Sequence, residues 1–349
     1  MGGWPEGRKF QFLKSAFSIT VCLLMGTLLH AQQKPEYTQY ILNNYILNPA
    51  LTGIENYTDV KISHRHQWLG VQDAPITTYL TIHGPIGKKD DRENVTSFHK
   101  PGFNPRGRDY WDDYTSARPH HGIGLQVLDD RTGPLSRFSA YLTYAYHLGI
   151  TTRTSLALGF GAGISQLGLD RSKLFFDVPV DPVVYSSGQL NKIKPDFNAG
   201  VWVYSADYFV GVSAQQIIPE KIAFTDKVAP NPGKLVPHLF GEAGYRILLS
   251  DDYNLIPSVM VKYVDPLPVQ IDFNAKLQYQ DLLWIGASVR TYDGFAAMVG
   301  LNVSNTFNIG YSYDLTTSRL NTISKGTHEI VLGFLIGNKY GDWCPKNVW

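Results

Sequence analysis

Beyond its amino terminus this chain has no run of some eighteen apolar residues, so it cannot cross a bilayer as helices. It is also short of charge. Asp, Glu, Lys and Arg make up 17% of its 349 residues, and they leave a net charge of +1. That balance gives no electrostatic pull toward nucleic acid, which is excluded as a partner. Two cysteines rule out a disulfide framework; Cys22 lies in the leading apolar run, which leaves Cys344 alone. The sequence has no GxSxG nucleophile elbow, no HExxH helix and no phosphate-binding loop. His64 with His66, and His120 with His121, are closely spaced but lack Cys, Asp or Glu at metal-ligand spacing. The chain reads as a non-enzyme with no cofactor and no metal site.

What it does have is alternation. Val269, Ile271, Phe273, Ala275, Leu277 and Tyr279 interleave with Gln270, Asp272, Asn274, Lys276 and Gln278. Phe307, Ile309, Tyr311 and Tyr313 interleave with Asn308, Gly310, Ser312 and Asp314. Successive side chains of a strand point to opposite faces, so one face suits hydrocarbon and the other water. A soluble sandwich shares that pattern. Ten-residue strands with aromatics near their ends favour a membrane barrel. Aromatics are 13% of the chain, 21 of them Tyr, as interfacial girdles require.

Fourteen strands are predicted, at 59–67, 76–84, 121–129, 136–148, 154–165, 196–204, 207–214, 238–247, 255–264, 269–279, 283–290, 295–303, 306–314 and 328–336. The even number suits a closed antiparallel barrel. Connections four, six, eight, ten and twelve are short, whereas five (166–195), seven (215–237) and thirteen (315–327) are long. This parity puts the even connections in the periplasm and the odd ones outside. Connection two, 85–119, breaks the parity and reads as an irregular insertion. The fold class expected is therefore all-β, a 14-stranded antiparallel transmembrane barrel with an N-terminal plug-like segment.

The domain plan follows. Residues 1–31 read as a signal peptide, with Arg8, Lys9 and Lys14 before an apolar stretch and Ala31 at the cleavage point. Residues 32–58 do not alternate and read as a segment capping or entering the barrel from the periplasmic side. The barrel runs over 59–336, and 337–349 is a tail. Inward positions carry both signs: Lys61, Arg65, Glu242, Arg246, Lys262, Asp272, Lys276 and Glu329. In a narrow lumen these charges must pair with one another or with the N-terminal segment, which describes a filled interior and not an open pore. Gly159, Gly161 and Gly163 fall on the same inward face, where small residues relieve crowding.

Several segments resemble one family. Pro35-Glu36-Tyr37-Thr38-Gln39-Tyr40, followed by Asn48-Pro49-Ala50-Leu51-Thr52-Gly53, is similar to the opening signature of PorP/SprF proteins, outer-membrane components of type IX secretion in Bacteroidota. Arg65-His66-Gln67-Trp68-Leu69-Gly70, Gly122-Ile123-Gly124-Leu125, Pro195 to Gly200, Trp284-Ile285-Gly286, Gly310 to Asp314, Gly326 to Ile330 and Cys344-Pro345 extend the resemblance along the mature chain. The resemblance implies a place in the cell outer membrane, among its lipids. It further implies a partner outside, a secreted adhesin with a type IX C-terminal signal domain, and a partner inside, a periplasmic type IX or peptidoglycan-linked protein. Export, surface anchoring or gliding would be the role served. Aromatic anchors usually carry interface energy. The candidates are Phe175, Phe176, Tyr185 and Phe224 in the outer loops, and Phe103, Tyr110, Trp111 and Tyr114 on the periplasmic side. The alternative is a FadL-like transporter of hydrophobic small molecules, which shares the strand count and the plug.

Overall fold

The structure, a computed structural model, describes residues 36–88, 114–116, 118–170, 173, 190–222, 233–280, 282–304 and 306–338. The expected signal peptide, most of the 85–119 insertion and most of the tail lie outside them.

Fourteen strands form the wall: β1 (Thr58–His66), β2 (Ile76–Ile86), β3 (His120–Thr132), β4 (Leu135–Gly149), β5 (Ser155–Leu169), β6 (Leu190–Tyr204) and β7 (Tyr208–Gln215), then β8 (His238–Tyr245), β9 (Tyr253–Val264), β10 (Gln270–Tyr279), β11 (Leu283–Arg290), β12 (Gly294–Ser304), β13 (Phe307–Thr316) and β14 (Thr327–Ile336). Each pairs antiparallel with its chain neighbours, and β1 pairs with β14, so the sheet closes on itself. Closure gives every strand a neighbour on both sides, which is the condition for a sheet to sit in hydrocarbon.

The wall is inside-out relative to a soluble protein. On β4, Tyr141, Thr143, Ala145 and His147 are buried toward the lumen, and Leu142, Tyr144, Tyr146 and Leu148 are exposed outward. Leu142 is 67% exposed without lipid. Covering such a side chain with hydrocarbon is worth roughly 1.5–3 kcal/mol, so the outer face calls for a hydrocarbon surround. On β10, Asp272, Asn274, Lys276 and Gln278 are buried and Phe273 is exposed. On β1, His64 faces outward, where its Nδ1 meets Thr78 Oγ1 at 2.9 Å.

The strands depart from the sequence expectation mainly at one place. β5 and β6 pair out to Leu169 and Leu190, well past 165 and 196. Lys192 and Ile193 in this extension are both exposed. With no face to bury, the extension needs no alternation, and periodicity cannot register it. A small hairpin, Glu220–Ile222 with Gly233–Leu235, lies within connection seven and was equally invisible, being three residues a side.

Connections 67–75, 133–134 and 291–293 share one rim, here the odd rim; 150–154, 205–207 and 246–252 share the other, the even rim. The third connection is only Gly133-Pro134, with Gly133 in the left-handed region at φ 58°. Between the rims runs the segment from Glu36 to Tyr57, folded as three short 3-10 turns, Gln39–Leu42, Asn44–Ile46 and Pro49–Leu51. Asn48 caps the last, accepting from the Ala50 N–H at 2.9 Å, with Pro49 at the first position. Nearly all of these residues are buried. Tyr37, Tyr40, Ile41, Ile46 and Leu47 pack with Phe240, Met260, Trp284 and Met298 of the wall; Ala50, Leu51 and Ile54 pack with Trp202, Tyr204 and Phe209.

Candidate functional site

The inner segment bonds to the polar inward face of the wall at both rims and between them. At the odd rim the segment begins in a charge network. Glu36 lies 3.4 Å from Arg290 and 3.6 Å from Lys262. Arg290 also binds Asp272 at 3.1 Å and Asp293 at 2.7 Å. Arg65 binds Asp314 at 2.8 Å and Glu329 at 3.1 Å. Thr38 ties the two halves: its N–H donates to Glu329, its hydroxyl to Asp314 at 2.5 Å, and it accepts from Arg65. Burial alone would raise the Glu36 carboxyl, but Arg290, Lys262 and Arg65 outweigh it and bring it down to about 2. Asp293, in the rim turn, goes the other way: burial and then the Glu36 charge raise it against the pull of Arg290.

Halfway down, wall side chains hold the segment's backbone. Gln126 Nε2 donates to the Tyr45 carbonyl at 2.6 Å, Gln215 Nε2 to those of Ile46 and Leu47 at 2.9 and 2.8 Å, and Ser213 to Leu47 at 2.8 Å. Asn43 Nδ2 reaches Thr81 Oγ1 at 3.0 Å, and Tyr45 and Thr143 share a hydroxyl hydrogen bond at 2.5 Å. Such bonds meet backbone carbonyls that an irregular segment cannot pair with itself.

At the even rim three imidazoles grip Thr52 and Gly53. The Gly53 N–H donates to His83 Nδ1 at 3.1 Å, His147 Nε2 meets the Thr52 carbonyl at 2.8 Å, and His120 Nε2 meets the Gly53 carbonyl at 3.2 Å. His120 and His147 stack at 4.5 Å. His83 Nδ1 must carry a lone pair to accept, and His147 must carry its proton on Nε2 to donate. His120 and His121 are adjacent in the chain but face opposite ways: His121 turns outward to Tyr144 at 2.7 Å, and His120 joins His147. Among the described residues no group of three or more His, Cys, Asp or Glu could hold a metal ion.

Glycines make the seat. A Cβ on Gly122 would strike the Thr52 carbonyl, one on Gly159 the backbone of Pro49 and Ala50, and one on Gly200 the Asn48 side chain. At Gly159 the requirement is thus the passage of the segment, beyond the general curvature of the wall. Gly159→Val is expected to unseat residues 48–53 and to cost about 1–3 kcal/mol. Gly241→Val, where a Cβ meets nothing within 4 Å, is expected to be neutral. Limited proteolysis of the inner segment in both variants checks this; equal protection would refute the seat.

The expected lumen charges fall as follows. Arg65, Lys262, Asp272 and Glu329 join the odd-rim network. Lys61 pairs with Asp59. Lys276 sits over the Trp284 ring at 5.9 Å, and Arg246 is buried near the even rim. Glu242 is buried away from the network. Glu36, Arg290, Asp293 and Asp314 belong to the network and were not singled out from the sequence. Of the expected aromatic anchors, Phe175, Phe176, Tyr185, Phe224, Phe103, Tyr110 and Trp111 lie outside the described residues. Tyr114 packs against the cluster of Trp202, Tyr204 and Phe209.

Several solved structures match over most of the chain at low identity. They include the CymD monoaromatic hydrocarbon channel (11% identity, 85% of this chain and 91% of that one, TM-score 0.43). The Ralstonia pickettii toluene transporter TbuX is similar (9%, 83% and 92%, 0.45), as is Acinetobacter baumannii Omp33 (8%, 82% and 100%, 0.42). No curated protein matches the chain. The family described as "Type IX secretion system membrane protein PorP/SprF" matches residues 29–334. With that match over most of its length and a closed barrel of fourteen strands, the chain belongs to the PorP/SprF family of the outer membrane.

Proposed function

We propose that this barrel serves type IX secretion as a docking component and not as a conduit. It would hold a secreted surface adhesin at its outer loops and a periplasmic partner at its inner rim, to support export, anchoring or gliding. One observation carries this reading: the inner segment occupies the lumen from rim to rim, with its charges and backbone groups bonded to the wall. A barrel filled in this way has its free surfaces at the two rims. The segments expected to serve there are the outer loops within 166–195 and 215–237, with Phe175, Phe176, Tyr185 and Phe224, and the 85–119 insertion, with Phe103, Tyr110, Trp111 and Tyr114. We assign residues 32–58 the role of plug.

The test is an affinity pull-down of the tagged barrel from detergent-solubilised outer membranes, read by mass spectrometry. A large secreted adhesin or type IX components among the strongest hits is the expected result. Recovery of the barrel alone, with bound hydrocarbon or fatty acid, would overturn it in favour of a transporter of hydrophobic small molecules. Removing residues 100–118 is expected to lose the periplasmic partner selectively while the outer one is retained.

A further inference from the structure

β8 turns one carboxylate inward that the charge network does not use. Glu242 is 5% exposed, and neither of its carboxylate oxygens has a hydrogen-bond partner among the protein atoms. Among the described residues no Lys, Arg or His lies within ion-pair distance of it. It lines a small cavity between the inner segment and β7–β9, together with Tyr40, Asn44, Phe209, Ile256 and Ser258. Asn44, also 5% exposed, leaves its Oδ1 without a partner. The residues lining the cavity therefore supply three acceptor oxygens and no donor bonded to any of them.

A buried carboxylate in that state needs a positive charge or a proton. The donor set decides between guests. Calcium takes six to eight oxygens and usually several carboxylates, and transition metals prefer imidazole or thiolate; neither is offered here. One carboxylate, one amide oxygen and the Ser258 hydroxyl balance a single positive charge. The cavity has room for a guest about the size of one water. We propose that it binds one monovalent cation, sodium or ammonium in size and charge, shared between the inner segment and the wall. Asn44 and Tyr40 come from the segment, and Glu242 and Ser258 from the wall, so the bound cation stabilises the seated segment.

The test uses the full-length barrel in detergent, with thermal unfolding followed by tryptophan fluorescence. Sodium chloride, ammonium chloride and N-methylglucamine chloride are compared at equal ionic strength. A guest that binds only the folded protein raises its midpoint. The midpoint is expected to be several degrees higher in sodium or ammonium than in N-methylglucamine, and the larger rise names the ion. Glu242→Gln is expected to abolish the difference. Thallium(I), a monovalent probe visible by anomalous scattering, is expected to give a peak in this cavity in crystals of the unaltered protein. That measurement decides the matter if Glu242→Gln does not fold. Equal midpoints in all three salts with no thallium peak would overturn the proposal in favour of a protonated carboxyl. A salt difference that persists in Glu242→Gln would overturn it by placing the ion elsewhere.

Discussion

Removing residues 36–53 is expected to convert a barrel that passes no steady current into a conducting pore. The wall left behind closes without the segment, because every strand pairs with another strand of the wall and none pairs with the segment. Its inner face is already polar: Lys61 and Asp272 line it, and Arg65, Gln126, Asn274 and Glu329 would exchange their contacts with the segment for water. Fourteen strands enclose more space than the eight whose side chains fill the interior, and somewhat less than the sixteen to eighteen of open porins. The expected lumen is therefore water-filled and of intermediate width. Planar-bilayer recordings of the unaltered protein should show no lasting steps, and those of the deletion variant discrete, long-lived ones. Gly159→Val, which unseats the segment without removing it, should give brief openings. Equal conductance in the unaltered and deleted proteins would sink the docking reading, since a lumen that already conducts needs no separate account of its function. The deletion also exposes the histidine grip, so the variant should lose stability while keeping its strand content.

The wall was legible in the sequence because a lipid-facing strand must alternate without interruption. Phe273 between Asp272 and Asn274, or Leu142 between Tyr141 and Thr143, could be assigned a face from parity alone. The same parity marked Arg65, Asp272 and Glu329 as inward. It could have found Arg290 and Asp314 too, since Arg290 shares a face with Ser288, and Asp314 with Ser312. What parity cannot give is the partner. Glu36 sits in an irregular segment with no period, and its distance to Arg290 depends on how three 3-10 turns stack within the lumen. The glycines show the same limit. Gly159 was legible as inward and small, but the reason for its size is the backbone of Ala50, more than a hundred residues earlier. His120 and His147 are brought together by the pairing of β3 with β4, which spacing along the chain does not report.

Arg290→Met should be among the most destabilising single substitutions in the wall, and its cost can be bounded from its neighbours. The guanidinium serves Asp272, Glu36 and Asp293 at 3.1, 3.4 and 2.7 Å. Asp272 is fully buried. Taking away the shared cation leaves these carboxylates facing one another at low dielectric, and breaking a buried pair in this way costs about 3–5 kcal/mol. A rim pair sets the contrast: Arg131 and Asp129 lie 3.0 Å apart but are 72% and 40% exposed, so Asp129→Asn should cost less than about 1 kcal/mol. Arg290→Lys keeps the charge but loses the planar fork that meets several carboxylates at once, and it should fall between the two. Urea unfolding of the refolded barrel in detergent measures all three. Adding Asp272→Asn and Glu36→Gln to Arg290→Met should recover part of the loss, because the cost lies in unpaired charge more than in lost packing. A loss for Arg290→Met as small as that for Asp129→Asn would mean that water reaches the odd-rim network. The segment would then not be locked there, and the unaltered barrel would be expected to conduct.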